Sequence, residues 1–537
     1  MKVSLNWLKD YVLIKDSAEV LANRLTMAGL EVKKIDQASG DTILEMEITT
    51  NRPDWLSHLG VAREIHAITG GQFSIPPSEA KTKRTSENSF KVSIPDPDLC
   101  PYYSAVLLEE INWSATPDFM KKCLEACGIR SINLIVDITN YALLEWGQPL
   151  HAFDADRLQG NQITARRAHQ GEKITAIDGV AYELAKNDLV IADSKGPVAI
   201  GGVMGGKDSE VNEQTKTILL ESAFFAPASI RATARRLGLG SESSYRFERR
   251  VDPRGVDQAR ERAVYLISKY AHPKRISPSF QTGKLPVQEP KIKLAASELK
   301  RILGVNIPIS KTKSYLSCLG LRVSVAGKVV TAKVPSFRSD LAQPVDLIEE
   351  VARLYGYDRI PETLPSMLPL EPRIDPILDL ENRIRELCVS FGFQEAISFS
   401  LVDPSPFREL GFDQDQWIRL VNPQNKELNL MRPSLLSGLM QAVRRNLYMG
   451  ETDIRFFEVG NRYVQEKGNP KEERMVSFVI SGEGRLNWLE KKRSASFYDL
   501  KGAVEKLMSQ IGLESFSTQL ATNSIYQRGE GISFPSL

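Results

Sequence analysis

The stretch RSDLAQPVDLIEEV, residues 338–351, places four acidic side chains, Asp340, Asp346, Glu349 and Glu350, in one helical segment and the loop before it. The last three are spaced three and four residues apart, so on a helix they share one face. In one arrangement Asp346 caps the helix and Glu349 reaches back to it, near the positive end of the helix dipole. In the other, the carboxylates hold a hard cation such as Mg²⁺. The local sequence favours the helix start, because such starts are common.

The composition around this stretch is that of ordinary globular domains. The 537 residues are enough for about three or four domains. A net charge of +2 argues against wholesale nucleic-acid binding by a basic surface and leaves a local patch open. The five scattered cysteines indicate a reducing compartment, and no apolar run is long enough for a membrane span. A cytoplasmic protein without membrane contact is therefore predicted.

Proline-rich polar segments divide the chain, because proline restricts its own backbone and that of the preceding residue. These segments are SIPPSEAKTKRTSENS (74–89), SPSFQTGKLPVQEP (277–290) and PETLPSMLPLEP (361–372). They predict domains at residues 1–85, 86–280, 290–362 and 370–537.

Local patterns predict elements within these domains. Ser17 is expected to cap a helix that Gly29 ends, and TILEMEI (42–48) alternates as a half-buried strand does. The third domain reads as two short helices, a hairpin and the acidic helix, a winged-helix-like order. In the fourth, ENRIRELCVSFGF (381–393) has helical periodicity, while TDIRFFEVGNRYV (452–464) and RMVSFVISG (474–482) have strand patterns.

A glycine run in the second domain resembles a phosphate loop, with Gly201, Gly206 and Lys207 at suitable spacing. A phosphate loop needs serine or threonine next, to reach Mg²⁺, and this chain has Asp208 there. A tight turn that brings the backbone close to another group is predicted instead.

Seven longer stretches, taken in order, resemble one family. They are MKVSLNWLKDYV (1–12), LTMAGLEV (25–32), TTNRPDWLSHLGVAREI (49–65), VDITNYALLEWGQPLHAFDADRL (136–158), AIGGVMGG (199–206), SSYRFERRVDP (243–253) and VPSFRSDLAQPVDLIEEVARLYGYDRIP (334–361). The family is that of the β subunits of bacterial-type phenylalanyl-tRNA synthetase, and the resemblance covers nearly the whole chain.

The resemblance implies an α+β multidomain fold. It comprises mixed αβ N-terminal and editing domains, a small winged-helix-like domain and a class II catalytic-like antiparallel sheet domain. It also implies an α2β2 assembly that acts on tRNA(Phe), whose α subunit binds ATP and phenylalanine and carries aminoacylation. No ATP-binding signature stands in the fourth domain, so no residue of this chain is assigned to aminoacylation, and Arg432 is interpreted as structural or as part of an interface.

Two departures from the family pattern are expected to matter. Between AGLEV and TTNRPD, where relatives carry an OB-fold tRNA-binding insertion, this chain has only KKIDQASGDTILEME. It also ends at GEGISFPSL, ahead of the family's C-terminal anticodon-binding domain and of the expected end of the catalytic-like domain.

The resemblance further implies an editing pocket. A pocket shaped for phenylalanine rejects an added hydroxyl by only about a hundredfold, so a second site must hydrolyse Tyr-tRNA(Phe). His151 matches the editing histidine, Glu221 the glutamate that reads the hydroxyl, and Thr139 and Gly205 pocket-wall positions. From the residues alone, His151 and Glu221 are more often structural. No cysteine or serine nucleophile constellation is apparent, so water attack is expected.

The resemblance also implies Mg²⁺ on Asp340, Asp346, Glu349 and Glu350, facing the α subunit. This tips the interpretation of the opening stretch toward the metal, although Asp346 could also cap. The main hypothesis is an editing subunit that supports aminoacylation in its partner. The alternative is a non-catalytic tRNA-binding or assembly factor from the same family. A free-standing metal hydrolase would need histidines near the acids, and none of the five histidines lies there.

Overall fold

The computed structural model describes residues 1–38, 40–78, 90–364, 375–483 and 493–513, together with the backbone of Gln519–Leu520 and Ile532–Ser533. The chain forms two compact units, Met1–Leu364 and Pro365–Leu537. In the first unit we distinguish an N-terminal module (1–78), a central module (90–283) and an acidic-helix module (291–357). Parts of the proline-rich segments 74–89 and 361–372 lie outside the described residues. Among the residues that are described, no helix is long and apolar enough to cross a membrane.

The N-terminal module is a three-stranded sheet, in the order β1-β3-β2, with three helices. Its elements are β1 (Lys2–Ser4), α1 (Leu5–Leu8), α2 (Ala18–Met27), β2 (Val32–Ala38), β3 (Asp41–Met46) and α3 (His58–Thr69). The predicted cap is confirmed, since the Ser17 side chain accepts from the Val20 N–H. Gly29 follows α2 with a left-handed φ of 96°. The short segment before TTNRPD folds as the β2–β3 hairpin.

The central module contains two five-stranded sheets and a short hairpin. Its elements up to the second sheet are β4 (Lys91–Ser93), β5 (Tyr102–Glu109), α4 (Asp118–Ala126), α5 (Leu134–Trp146), β6 (Leu150–Asp154), β7 (Gln162–Arg167), β8 (Lys173–Thr175), β9 (Ala181–Glu183), β10 (Leu189–Ala192), β11 (Pro197–Ile200) and β12 (Met204–Gly205). They are followed by β13 (Thr217–Phe224), α6 (Pro227–Leu237), α7 (Glu242–Phe247), α8 (Gly255–Tyr270), β14 (Arg275–Ile276) and β15 (Phe280–Gly283).

Strand β13 is the centre of the first of these sheets, whose order is β14-β5-β13-β6 with β15 also paired to β5. The second sheet has the order β12-β11-β10-β7-β4. One face of the first sheet packs on α5 and α8, and Leu220 lies in that core. The other face packs on the second sheet, and Leu219 lies in that core. Because both faces are covered, β13 is buried along nearly its whole length, including Glu221 and Ser222.

The acidic-helix module has the predicted order of two helices, a hairpin and a helix, preceded by a strand. Its elements are β16 (Lys291–Ala295), α9 (Ala296–Leu303), α10 (Ile309–Cys318), β17 (Arg322–Ala326), β18 (Val329–Lys333) and α11 (Pro344–Tyr355). Strand β16 was not predicted, although KIKLA alternates; it pairs with β18 at the other edge from β17.

The predicted cap of α11 is wrong in register. Gln343 is the N-cap and Pro344 the first helical residue, and Asp346 at the third position reaches back. One carboxylate oxygen of Asp346 accepts from the backbone N–H groups of Ala342 at 2.7 Å and Gln343 at 2.6 Å. Proline is well suited to the first helical position, because it has no N–H to leave unpaired there. Glu349 has no part in the cap.

The second unit contains α12 (Pro376–Ser390), β19 (Gln394–Glu395), β20 (Leu401–Val402), α13 (Ser405–Glu409), β21 (Leu430–Met431), α14 (Leu436–Tyr448), β22 (Ile454–Glu466), β23 (Asn469–Ser481), α15 (Phe497–Gln510), β24 (Gln519–Leu520) and β25 (Ile532–Ser533). The predicted helix and both predicted strands are confirmed. Strands β22 and β23 pair antiparallel, while β19 runs parallel to β22. Arg432 is buried and its guanidinium pairs with Glu458 at 2.5 Å, which fits a structural role.

Candidate functional site

Strand pairing brings His151 and Glu221 together. The two residues are direct partners across the antiparallel strands β6 and β13, and Ala105 on β5 flanks Glu221 on the other side. Directly opposed residues have their Cβ atoms about 4.5–5.5 Å apart. Both side chains lie on the sheet face that Phe153 and Leu219 also occupy, toward the second sheet.

A small cavity of about 50 Å³ opens at this pair, and we call it the β6–β13 pocket. It lies between the first sheet, the β11–β12 turn and α7. Besides His151 and Glu221, its lining includes Ile191, Ala199, Met204, Gly205, Ser243 and Phe247. The polar side chains of His151, Glu221 and Ser243 stand among apolar ones, and a few placed polar groups of this kind fix the orientation of a small ligand.

Glu221 is a buried carboxylate with one hydrogen-bond partner in the described part of the chain. The hydroxyl of Tyr103, itself fully buried, donates to Glu221 Oε2 at 2.5 Å. No hydrogen bond from a described residue reaches Oε1. Burial raises the pKa of Glu221 to about 7, and the Tyr103 hydrogen bond opposes that rise. The carboxyl group therefore changes charge near neutral pH, and its second oxygen can accept a hydrogen bond from a ligand.

His151 is held as a neutral ring. Burial lowers the pKa of His151 to about 4, so the imidazole is uncharged at neutral pH. Its ring packs edge-on against Phe153, with centroids 4.4 Å apart. The Nε2 atom is buried and has no hydrogen-bond partner among the described residues. A buried ring nitrogen without a partner can bind a substrate group or a water molecule.

Gly205 leaves the room that the His151 ring occupies. A Cβ atom built on Gly205 would lie 2.5 Å from Cε1 and 3.0 Å from Nε2 of His151. Such distances are far inside van der Waals contact, so any side chain here would displace the ring. Gly205 therefore lines the pocket together with His151 and Glu221.

The structure does not bring Thr139 to this pocket. Thr139 lies on α5, whose apolar residues Ile135 and Ile138 pack with Leu220 on the opposite face of the first sheet. Its hydroxyl donates to the Val136 carbonyl oxygen at 2.8 Å, within its own helix. A pocket role for Thr139 stays a prediction from the resemblance.

No nucleophile and base pair is assembled in the described part of the pocket. Ser243 lines it, but no hydrogen bond joins this serine to His151. Cys100 is buried nearby, and burial raises the pKa of its thiol well above the usual value. A protonated thiol is a poor nucleophile. The arrangement is compatible with attack by water.

Tyr103 is the site residue that the sequence analysis missed. It stands in the strand PYYSAVLLEE, and no pattern there distinguishes it from a core tyrosine. Its link to Glu221 joins residues 118 positions apart. Only the pairing of β5 with β13 brings the two together, so the sequence carries no local signal for it.

The four acids of the opening stretch are dispersed in the structure. Asp340 accepts from Arg338 at 2.7 and 2.9 Å. Glu350 is buried and accepts from Arg338 at 2.8 Å and from Arg353 at 2.6 and 3.0 Å. Asp346 bonds the backbone, and Glu349 is exposed. Within the described ranges, no group of three or more possible ligands is suited to a metal ion.

This arrangement therefore does not fit a Mg²⁺ ion shared by the four acids, because arginines already neutralise the carboxylates of Asp340 and Glu350. The two arginines hold the pKa of Glu350 below its usual range despite burial. Arg353 also pairs with Glu64 on α3, so the cluster joins the acidic-helix module to the N-terminal module. A magnesium ion on these acids stays a prediction that rests on the resemblance alone.

Three family models match successive parts of the chain. The B3/4 domain matches residues 99–272, which include Tyr103, His151 and Glu221. The tRNA synthetase B5 domain matches residues 292–357, and the phenylalanyl tRNA synthetase beta chain CLM domain matches residues 360–533.

Curated proteins named phenylalanine–tRNA ligase beta subunit match most of the chain. The protein of Carboxydothermus hydrogenoformans is 35% identical over 92% of this chain and 62% of its own length. That of Syntrophus aciditrophicus is 39% identical over 88% of this chain and 60% of its own length. This chain thus spans about three fifths of the length of these relatives. Likeness to a solved N-terminal fragment of the Pyrococcus horikoshii phenylalanyl-tRNA synthetase beta subunit is slight, with 16% identity over 66% of this chain and 99% of the fragment and a TM-score of 0.39.

Proposed function

Because this chain belongs to the family of phenylalanine–tRNA ligase β subunits, we propose that it hydrolyses mischarged Tyr-tRNA(Phe) in the β6–β13 pocket. The observation that carries the proposal is the register of β6 and β13, which opposes His151 and Glu221 in one cavity. In this proposal Glu221 accepts a hydrogen bond from the tyrosine hydroxyl. Phenylalanine would leave the same buried carboxyl oxygen without a partner, which disfavours its binding.

His151 acts on the ester end of the substrate. Its ring is neutral and its Nε2 has no partner among the described residues, so that Nε2 can hold the attacking water or the ester carbonyl. Attack by water breaks the bond between the tyrosyl carbonyl carbon and the ribose oxygen. Free tyrosine and uncharged tRNA are released, and the proton lost by water passes to the ribose oxygen. The tRNA itself supplies the rest of the orientation.

The assembly follows from the same family membership. We propose an α subunit as partner in an α2β2 complex, with ATP and phenylalanine bound by α and aminoacylation carried out there. Residues 86–280 form the editing domain, residues 290–362 a winged-helix-like domain and residues 370–537 a catalytic-like domain without aminoacylation residues. The complex acts on tRNA(Phe) in the cytoplasm.

The test is deacylation of Tyr-tRNA(Phe) and Phe-tRNA(Phe) by the complex of this chain with its α subunit. Hydrolysis is expected for the tyrosyl ester in preference to the phenylalanyl ester. Glu221→Ala should lower that preference by about tenfold to a hundredfold, since a buried hydrogen bond to a charged group contributes about 1.5–3 kcal/mol.

Glu109→Ala is the matched control. Glu109 is a buried carboxylate on β5 of the same sheet, opposite Thr217 instead of Glu221, so its loss perturbs the sheet without reaching the pocket. An equal preference for Tyr-tRNA(Phe) over Phe-tRNA(Phe) in wild type and Glu221→Ala would show that Glu221 does not distinguish the two esters. A wild-type complex that charges tRNA(Phe) but deacylates neither ester would favour a non-catalytic tRNA-binding or assembly role.

A further inference from the structure

A second and larger cavity, of about 350 Å³, lies in the first unit where its three modules meet. We call it the junction cavity. Its volume falls within the range of small-molecule sites, about 300–1,000 Å³. Three of the stretches quoted from the sequence contribute to its lining: TTNRPDW (49–55), SSYRFERRVDP (243–253) and VPSFRSD (334–340). The first and third have no part in the proposed hydrolysis, and of the second only Ser243 and Phe247 also line the β6–β13 pocket.

The lining of the junction cavity is strongly cationic. Six of its side chains are basic and three are acidic. The basic ones are Arg63, Arg246, Arg250, Arg254, Arg322 and Lys333, and the acidic ones are Asp54, Asp252 and Glu289. This excess of positive charge suits an anion with more than one negative charge.

Existing ion pairs account for only part of this charge. Glu289 pairs with Arg254 at 3.0 Å and with Lys333 at 2.5 Å. Arg246 pairs with Glu242 at 2.5 Å.

Three guanidinium groups have no ion pair with any residue that the structure describes. They belong to Arg63, Arg250 and Arg322, which come from three different segments and line the same cavity. The acidic groups Asp54 and Asp252 lie near enough to influence Arg63 electrostatically. Asp54 is however already bonded to Arg52 at 2.8 and 2.9 Å. Asp252 accepts from the Arg254 backbone N–H at 3.0 Å.

Arg63 is held in an orientation that suits an oxyanion. Its guanidinium lies 3.8 Å from the centroid of the Phe337 ring, across the boundary between two modules. Stacking on a ring uses the face of the guanidinium and leaves its N–H edge able to donate. Guanidinium edges match the oxygen geometry of phosphate and carboxylate groups.

Arg250 occupies a backbone position that favours glycine. Its φ is 74°, in the left-handed region where a side chain is strained. The residue follows α7 in the turn that leads to Asp252, and its N–H donates to the Phe247 carbonyl oxygen at 3.1 Å. An arginine at such a position, whose guanidinium lines a cavity and has no ion pair with a described residue, indicates a role for the side chain.

We propose that the junction cavity binds a phosphate group, with Arg63, Arg250 and Arg322 donating to its oxygens. A phosphate is favoured over a lone carboxylate because a dianion matches the surplus positive charge and offers oxygens to three guanidinium groups. The phosphate belongs either to a small molecule or to the backbone of a nucleic acid. Binding would join the three modules, since each donor comes from a different one.

The test is titration calorimetry of the 537-residue chain with inorganic phosphate, with AMP and with a short single-stranded RNA, all at matched ionic strength. Arg250→Gly is the central variant, because glycine suits the left-handed backbone and should not lower the thermal midpoint. Arg322→Ala removes an exposed side chain and should also fold normally. Each variant is expected to weaken binding about tenfold or more, as for the loss of one charged hydrogen bond.

Arg249→Ala is the matched control. This neighbouring arginine stacks on Tyr245 at 3.5 Å and pairs with Glu248, and it does not line the cavity. Binding of phosphate or AMP that is lost in both test variants supports a small-molecule site. Binding of RNA alone with the same losses supports a backbone phosphate. Absence of binding by all three probes, or equal affinity in wild type, Arg250→Gly and Arg322→Ala, would overturn the proposal.

Discussion

At the scale of single residues, the hydrogen bond from Tyr103 influences the charge of the Glu221 carboxyl group, which is proposed to bind the tyrosine hydroxyl. Because Tyr103 donates to the carboxylate, it favours the ionised form and keeps the pKa of Glu221 from rising further. Ionised Glu221 accepts a hydroxyl hydrogen bond more strongly than the neutral acid does. The preference for Tyr-tRNA(Phe) over Phe-tRNA(Phe) should therefore increase as the pH rises through about 7.

Tyr103→Phe should shift this pH dependence upward. Without the donor the pKa of Glu221 rises, so a higher pH is needed to ionise the carboxyl group. The ratio of the two deacylation rates, measured from pH 6 to 9, cancels the base-catalysed hydrolysis that both esters share. A variant that loses activity at every pH, with an unshifted ratio, would assign Tyr103 to packing alone.

At the scale of elements, strand β12 limits the space around His151 through Gly205. Gly205→Ala places a methyl group 2.5 Å from the ring, so the ring must rotate or β12 must move away. Hydrolysis of Tyr-tRNA(Phe) is expected to fall at least about tenfold, since an Å-scale misplacement of a catalytic group can reduce rates a hundredfold. Deacylation kinetics measure the effect of a displaced His151 ring on the rate, and the thermal midpoint of the complex measures the effect of a displaced β12 on stability.

Gly196→Ala is the control for that change. Gly196 lies in the turn between β10 and β11 of the same sheet, and a Cβ atom built there meets nothing within 4 Å. Its substitution should leave both rate and midpoint unchanged. Normal hydrolysis by Gly205→Ala would show that the His151 ring position is not needed.

Helix α11 supplies a second element-scale prediction. Glu350→Gln removes the charge that Arg338 and Arg353 share, and leaves two buried guanidinium groups undercompensated. Breaking a buried ion pair from one side costs about 3–5 kcal/mol, so a clearly lower free energy of unfolding is expected by urea denaturation. Glu349→Gln, one residue away and exposed, should change stability by less than about 0.5 kcal/mol.

Metal analysis of the same two variants tests the magnesium prediction. If the acids hold an ion, both substitutions should lower the bound Mg²⁺, and EDTA should destabilise the wild type but not Glu350→Gln. If the arginines alone neutralise Glu350, metal content is the same in all three proteins and EDTA has no effect.

At the scale of the whole first unit, buried groups predict loss of stability in acid. His58 is fully buried, donates from Nδ1 to the Leu144 carbonyl at 3.0 Å and accepts at Nε2 from the Ser4 N–H at 3.3 Å. The contact at Nε2 needs the neutral ring, because a protonated Nε2 cannot accept a hydrogen bond, and burial lowers the pKa of His58 from 6.5 to about 3. The unfolded chain therefore binds an extra proton between these values, so the unit loses stability as the pH falls below 6.5.

The expected loss is on the order of 5 kcal/mol by pH 3, at about 1.4 kcal/mol per pKa unit. Glu350 adds to it below pH 4.5, since its pKa is lowered in the folded state. The measurement is urea denaturation of the chain from pH 8 to pH 4. His58→Gln should have a lower free energy of unfolding at pH 8. Between pH 6.5 and 5 its free energy of unfolding should change less with pH than that of the wild type. Equal slopes in the two proteins would show that His58 is not the group that titrates.

Much of the element order followed from local sequence alone. The Ser17 cap, the TILEMEI strand and the helix and strands of the second unit all depend on neighbours a few residues away. Side-chain capping and the two-residue and 3.6-residue periods act over that range. The resemblance to the family was also found from the residues themselves, because it rests on seven stretches in order.

Only the tertiary structure decided which of the marked residues meet. In the structure Tyr103 donates to Glu221, and Thr139 lies on the opposite face of the sheet. Glu350 forms ion pairs with Arg338 and Arg353. The reason is physical: charge and pKa depend on neighbours in space, and the contacts that set them join residues as far apart as Glu64 and Arg353, 289 positions along the chain. The spacing of Asp346, Glu349 and Glu350 predicted a shared helix face, but it carried no information about the arginines that bind Asp340 and Glu350.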